Sequence, residues 1–161
     1  MQLDVIRTDV HRGIERRLEP VNRALADLGI RPNHITYAGT GLCVGSAGLV
    51  VAEQPVLGGI VWLLGSALDL LDGSLARQQD STSRAGAFLD STLDRISEGA
   101  IFAAIAYHFA DNGEALEAAL TVLALLGSLL ISYTRARAES LGADCKVGIV
   151  TRAERVVLIG L

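Results

Sequence analysis

Cysteine is almost missing from this chain. Only Cys43 and Cys145 occur, one inside an apolar segment and one in a polar loop, with no metal-ligand spacing between them. No disulfide framework and no thiolate metal site is expected. A strong charge of either sign is missing as well: the formal net charge is −4, so the total points to no polyelectrolyte partner, nucleic acid included. Residues 1–30 contain no continuous apolar run, which argues against a secretory signal peptide. Low-complexity segments and internal repeats are also lacking. What the chain does have is apolar residues. They make up 50% of it, with a mean hydropathy of +0.40, above what a soluble domain of 161 residues carries.

The apolar residues fall into two patterns. Between residues 3 and 28, Leu3, Ile6, Val10, Ile14, Leu18, Val21, Leu25 and Leu28 recur at steps of three or four, the period of one helical face. Arg7, Arg12, Arg16, Arg17 and Arg23 occupy other positions. A basic amphipathic helix of this kind lies in the membrane interface, with a kink or break expected at Pro20. From residue 31 the apolar segments become continuous. They predict helices over 33–52, 55–78, 85–110 and 114–138, and a fifth that starts near 148. Each complete one is long enough to cross a hydrocarbon core of ~30 Å at ~1.5 Å per residue. The fifth stops at Leu161 inside an apolar run, so at least one further span is expected beyond it. The expected fold is therefore an all-α integral membrane protein, a single domain over 1–161. Residues 1–30 form its interfacial helix, and 31–161 its transmembrane core.

Charge then orients the spans. The turns between helices 1 and 2 and between helices 3 and 4 hold no Lys or Arg. All 14 basic residues lie in the N-terminal helix or around the 2–3 and 4–5 connections. The positive-inside rule puts those regions in the cytoplasm and predicts a multi-pass protein of the cytoplasmic (inner) membrane.

Within this apolar frame stand four aspartates at fixed gaps: Asp69-x2-Asp72-Gly73-x2-Ala76-Arg77-x8-Gly86-x3-Asp90-x3-Asp94. A carboxylate in hydrocarbon is costly unless paired, solvated or bound to a cation, so intramembrane acids are functional candidates. Asp69, Asp72 and Gly73 share one helical face, and Gly86, Asp90 and Asp94 share another. If the faces meet, the acids converge beside small residues. Hard divalent ions take oxygen ligands and keep substrate phosphates in their shell, and two such ions could clamp a phosphoryl transfer. Gly73, Ala76 and Gly86 leave room for a flat or diphosphate ligand, and Arg77 offers a planar fork for phosphate oxygens. Taken singly, each has a plainer reading: an aspartate at a helix end, a glycine in helix packing, an arginine as a positive-inside anchor. The four acids would also suit the cation pathway of a transporter.

The aspartate pattern, with every fixed position present, resembles the signature of the CDP-alcohol phosphotransferases. The resemblance implies an interfacial N-terminal helix, six membrane spans, a homodimer and an active site facing the cytoplasm. It implies an enzyme that displaces CMP from a CDP-linked lipid with an alcohol, using two Mg²⁺ or Mn²⁺ ions. By the same resemblance Asp69, Asp72 and Asp90 bind the metals and Asp94 completes the site. Asp94 is also the base for the attacking hydroxyl. Gly73, Ala76 and Gly86 pack near the cytidine, and Arg77 meets the diphosphate. Arg31-Pro32-Asn33-His34-Ile35-Thr36 is similar to the family's entry into its first span, which adds Asn33 to the nucleotide site. Its plainer reading is Pro at a helix start with a capping Asn.

A second cluster concerns the acceptor. Ser132 and Arg135 near the end of helix 4, with Arg152 and Arg155 before helix 5, could close on a phosphate monoester through charge-assisted bonds. They could also be membrane anchors. The segments Ile131–Glu139 and Arg152–Arg155, and the pair Asp94-Arg95, resemble the branch of the family that uses inositol phosphate. The bacterial members of that branch carry Lys where this chain has Arg135. The expected reaction is transfer of the phosphatidyl group from CDP-diacylglycerol to inositol phosphate with release of CMP. Glycerol 3-phosphate is the alternative acceptor, and a cation-coupled transporter the alternative of another class.

Overall fold

The computed structural model of the chain describes residues 19–78 and 83–143. Every regular element there is a helix, and no strand occurs among the described residues. A short α1 covers 19–27, followed by α2 (Pro32–Val51), α3 (Pro55–Gln78), α4 (Arg84–Asp111) and α5 (Ala115–Ser140). The helices expected at 33–52, 55–78, 85–110 and 114–138 thus appear with ends shifted by no more than two residues. Residues 3–18 of the expected interfacial helix, the break at its Pro20 boundary and the helix expected from 148 lie outside or at the edge of the described residues.

Local chemistry accounts for the ends. Gly29, at φ +72°, closes α1: its N–H donates to Ala26 O at 2.9 Å, and that of Ile30 to Leu25 O at 3.0 Å. This is the left-handed cap that glycine adopts without steric cost. Pro32 then opens α2 at its first helical position, where its missing N–H costs nothing. The N-cap is Arg31, so Asn33 lies one position inside the helix, exposed, and is not the capping residue. Ser83 caps α4, its Oγ accepting from Gly86 N at 2.9 Å.

Packing is centred on α2, which lies against both α3 and α4, while α4 carries α5. Close approach of α2 and α3 depends on glycine. A Cβ at Gly65 would fall 2.7 Å from Cys43 Sγ and 2.9 Å from Gly39 O. Cys43, Ala47 and Val50 of α2 meet Trp62 of α3 and Ile101 and Ala104 of α4 in one buried cluster.

Among the described residues three helices are long and apolar enough to cross a membrane: α2, α3 as far as Ala76, and α5. On α5 the large apolar residues Leu116, Leu120, Leu123 and Leu126 are exposed, as a lipid-facing helix requires. At 28 residues α4 is the longest of the described helices. It carries Asp90, Asp94, Arg95 and Glu98 along one stretch, which lowers its apolar character below theirs.

Candidate active site

The site forms where the C-terminal end of α3 faces the N-terminal half of α4. Asp69 and Asp72, one turn apart on α3, meet Asp90 of α4, with one carboxylate oxygen of each within 4.8 Å of the others. Asp72 is buried; Asp69 and Asp90 are half-buried. Three like charges held this close repel unless a cation or protons intervene. Convergent hard oxygen donors are what a divalent ion of the Mg²⁺ type takes, so the donor set fits such a metal.

Asp72 is held from α2. The hydroxyl of Thr36 donates to Asp72 Oδ2 at 2.5 Å, with the carbonyl of Pro32 3.2 Å away as its intrahelical alternative. Thr36 sits one turn before Gly39, where a Cβ would meet Gly65 O at 3.0 Å. The glycine contact is therefore what brings the threonine within reach of the carboxylate.

Asp94 lies one turn further along α4 than Asp90 and outside the three-acid group. Its Oδ2 is 3.3 Å from Arg95 Nη1, and Arg95 also donates to Ser91 O at 2.9 Å. The side chain of Asp94 is nearly covered. Gly73, Ala76 and Gly86 are partly buried. A Cβ at Gly86 would meet the capping Ser83 Oγ at 3.1 Å, so this glycine leaves the start of α4 open. Arg77 lies in the last turn of α3, and its side chain lies outside what is described.

Beyond the three acids, α4 and α5 run antiparallel and are joined by a hydrogen bond from Ser128 Oγ to Glu98 Oε1 at 2.5 Å. Equal steps from a contact in an antiparallel pair stay level. Ser132, one turn beyond Ser128, therefore stands level with Asp94, one turn before Glu98. Arg135, two turns beyond Ser128, stands level with Ser91. Ser132 is half-buried; Arg135 is exposed and pairs with Glu139 of its own helix at 3.1 Å. Arg152 and Arg155 lie outside the described residues.

Several contributors escaped the sequence reading. Asn22 of α1 is buried and donates through Nδ2 to Ser74 Oγ at 2.8 Å, pinning α1 to α3 beside the aspartate motif. Its apolar neighbours Val21 and Leu28 face outward. α1 thus turns a polar residue toward the protein, an amide anchor that the apolar spacing gave no sign of. Thr36 stood in the quoted entry segment, but only the fold brings it to Asp72. Glu98 extends the ladder Asp90, Asp94 by one more turn, and that spacing was a usable signal.

The CDP-alcohol phosphatidyltransferase family model matches residues 30–161. The chain belongs to that family. It is similar to the archaetidylinositol phosphate synthase of Pyrococcus horikoshii, at 37% identity over 147 residues, covering 91% of this chain and 76% of the relative. It is also similar to the phosphatidylinositol phosphate synthase of Mycobacterium tuberculosis crystallised with CDP-DAG bound. There the TM-score is 0.77 and the identity 35%, with 90% of this chain and 74% of that one covered. The same enzyme in complex with manganese and citrate gives 0.77 and 34%, covering 88% and 68%. Membership makes the chain a transferase and sets the transporter reading aside. The aspartate pattern was sufficient for that assignment.

Proposed function

We propose that this chain transfers the phosphatidyl group of CDP-diacylglycerol to inositol phosphate and releases CMP. The observation that carries the reading is the convergence of Asp69, Asp72 and Asp90 within the full family pattern. Its acceptor half is supported by relatives named for inositol phosphate lipids at 37% and 35% identity.

In this reading Asp69, Asp72 and Asp90 hold divalent metal, Mg²⁺ or Mn²⁺, and Asp94 completes a two-ion site. The metal supplies charge neutralisation at the diphosphate as CMP departs. Thr36 holds Asp72 in its ligating orientation. Gly73, Ala76 and Gly86 leave space for the cytidine, Asn33 flanks it, and Arg77 receives diphosphate oxygens. Asp94 takes the proton of the attacking hydroxyl. The new P–O bond joins that oxygen to the phosphorus bearing the diacylglycerol, and the P–O bond to CMP breaks. Ser132, Arg135, Arg152 and Arg155 bind the acceptor's phosphate. For Arg135 this means exchanging Glu139 for the substrate, an exchange that costs little between exposed groups. The protein is a single domain of six spans with an interfacial helix. It lies in the cytoplasmic membrane as a homodimer, its active site open to the cytoplasm.

The experiment is an acceptor panel. Purified protein, CDP-diacylglycerol and Mg²⁺ are combined with inositol phosphate, inositol, glycerol 3-phosphate or serine, and CMP is measured. Inositol phosphate is expected to give the fastest metal-dependent release. Faster release with glycerol 3-phosphate would overturn the acceptor assignment and leave the phosphatidyl transfer standing.

A further inference from the structure

We infer that Glu98 and Ser128 are positioning residues: their hydrogen bond clasps α4 to α5 and fixes where the acceptor stands relative to Asp94. The inference rests on the acceptor reading above. Glu98 is an acid in the middle of a 28-residue helix, half-buried, and its Oε1 receives the Ser128 hydroxyl at 2.5 Å. Ser128 is itself 5% exposed, so its end of the bond is shielded from water. A hydrogen bond between partly covered polar groups is directional, and displacing the helices trades it for a poorer geometry at a cost. The bond therefore selects one register of α5 on α4.

That register matters because of what lies one turn toward the cytoplasm on each helix. Asp94 precedes Glu98 by four residues, and Ser132 follows Ser128 by four. The clasp sets these two side chains level, across the gap that an acceptor phosphate and its attacking hydroxyl would fill. Apolar packing does not enforce this by itself. Along the α4–α5 contact the buried residues of α5 are Thr121 and Ser128, both small and polar; Leu125 and Leu129 beside them are half-buried, and Leu120, Leu123, Leu126 and Leu130 face outward. Half-buried leucines give a non-directional contact, so apolar burial alone fixes the register only loosely. The CDP-lipid side of the site, on α2, α3 and the start of α4, does not depend on α5. Loss of the clasp thus disturbs one substrate and spares the other.

The test is a set of four variants, each assayed for KM of both substrates. Ser128→Ala and Glu98→Ala remove the bond and are expected to raise KM for inositol phosphate about tenfold, while KM for CDP-diacylglycerol stays within about twofold. Ser128→Thr keeps the hydroxyl and Glu98→Gln keeps an acceptor oxygen, so both are expected to behave as wild type. Ser128→Ala removes a single atom, so its result stands even if Glu98→Ala fails to accumulate. Equal changes in both KM values in Ser128→Ala, or no change in either, would overturn the clasp. So would a Glu98→Gln that behaves like Glu98→Ala, since that would assign Glu98's role to its charge. If wild-type enzyme uses glycerol 3-phosphate instead, the inositol phosphate reading fails, and the same comparison made with that acceptor still decides the clasp.

Discussion

At the residue scale, the chemistry concentrates in three carboxylates and the hydroxyl that orients one of them. Asp69→Asn, Asp72→Asn and Asp90→Asn each keep the volume and remove the charge. Each is expected to abolish metal-dependent CMP release while the protein still inserts and purifies. A variant that retains wild-type rates at low metal would remove that residue from the ligand set. Thr36→Val keeps the shape but loses the bond to Asp72 Oδ2. Loss of a ligand's orienting partner typically costs ten- to a hundredfold, so the Mg²⁺ concentration for half-maximal rate is expected to rise roughly tenfold, with Thr36→Ser restoring it. The carboxylates were legible in the sequence because acids are rare in apolar helices and their spacing follows the helical period. Thr36 was not, because nothing local marks which threonine of a helix meets an acid 36 residues away.

At the scale of elements, the long helices were legible to within two residues, since apolar run length, Pro32, Pro55 and Gly113 mark their ends. Their neighbours were not. Nothing in the apolar patterns says that α2 is the helix shared by α3 and α4, because lipid and protein interior are equally apolar. Small residues hold that information. Gly65 meets Cys43 and the backbone of Gly39, whereas Gly41, on the same helix as Gly39, has nothing within 4 Å. Gly65→Ala is expected to overpack the contact and cost about 1–3 kcal/mol. It should lower the melting temperature in detergent and weaken the Thr36–Asp72 contact, so that metal dependence shifts with stability. Gly41→Ala is expected to leave both unchanged. A melting temperature unaffected by Gly65→Ala would show that the two helices have room to spare.

At the scale of the whole molecule, the helices alternate in direction, so the aspartate cluster lies at one end of the bundle. At the other end His108 Nδ1 and Glu53 Oε1 stand 3.3 Å apart, tying the α2–α3 turn to the end of α4. The distribution of Arg and Lys predicts that these two ends lie on opposite sides of the bilayer. Cysteines introduced at Gln54 and Asn112, with Cys145 replaced by Ser, are expected to react with an impermeant reagent from the outer side. One at Ser140 should react only after the membrane is opened. Labelling of Ser140 in intact cells would reverse the orientation and with it the cytoplasmic active site.

The charged half of α4 bears on how the protein is made. An acidic or basic residue at the centre of a helix costs about 2.5–3.5 kcal/mol on entering the bilayer through the insertion machinery. With Asp90, Asp94, Arg95 and Glu98 together, α4 gains little from leaving water alone. The next helix, α5, holds an 18-residue stretch with a mean hydropathy of 2.0 and enters readily. The helix that carries Asp90 and Asp94 is thus the one least able to insert by itself, and it depends on helices made before and after it. A chain ended at Asn112 is expected to leave α4 out of the membrane in a glycosylation-mapping assay, and one extended through Ser140 to carry it in. Biogenesis and catalysis then place opposite demands on the same acids, and the order in which the ribosome releases the helices reconciles them.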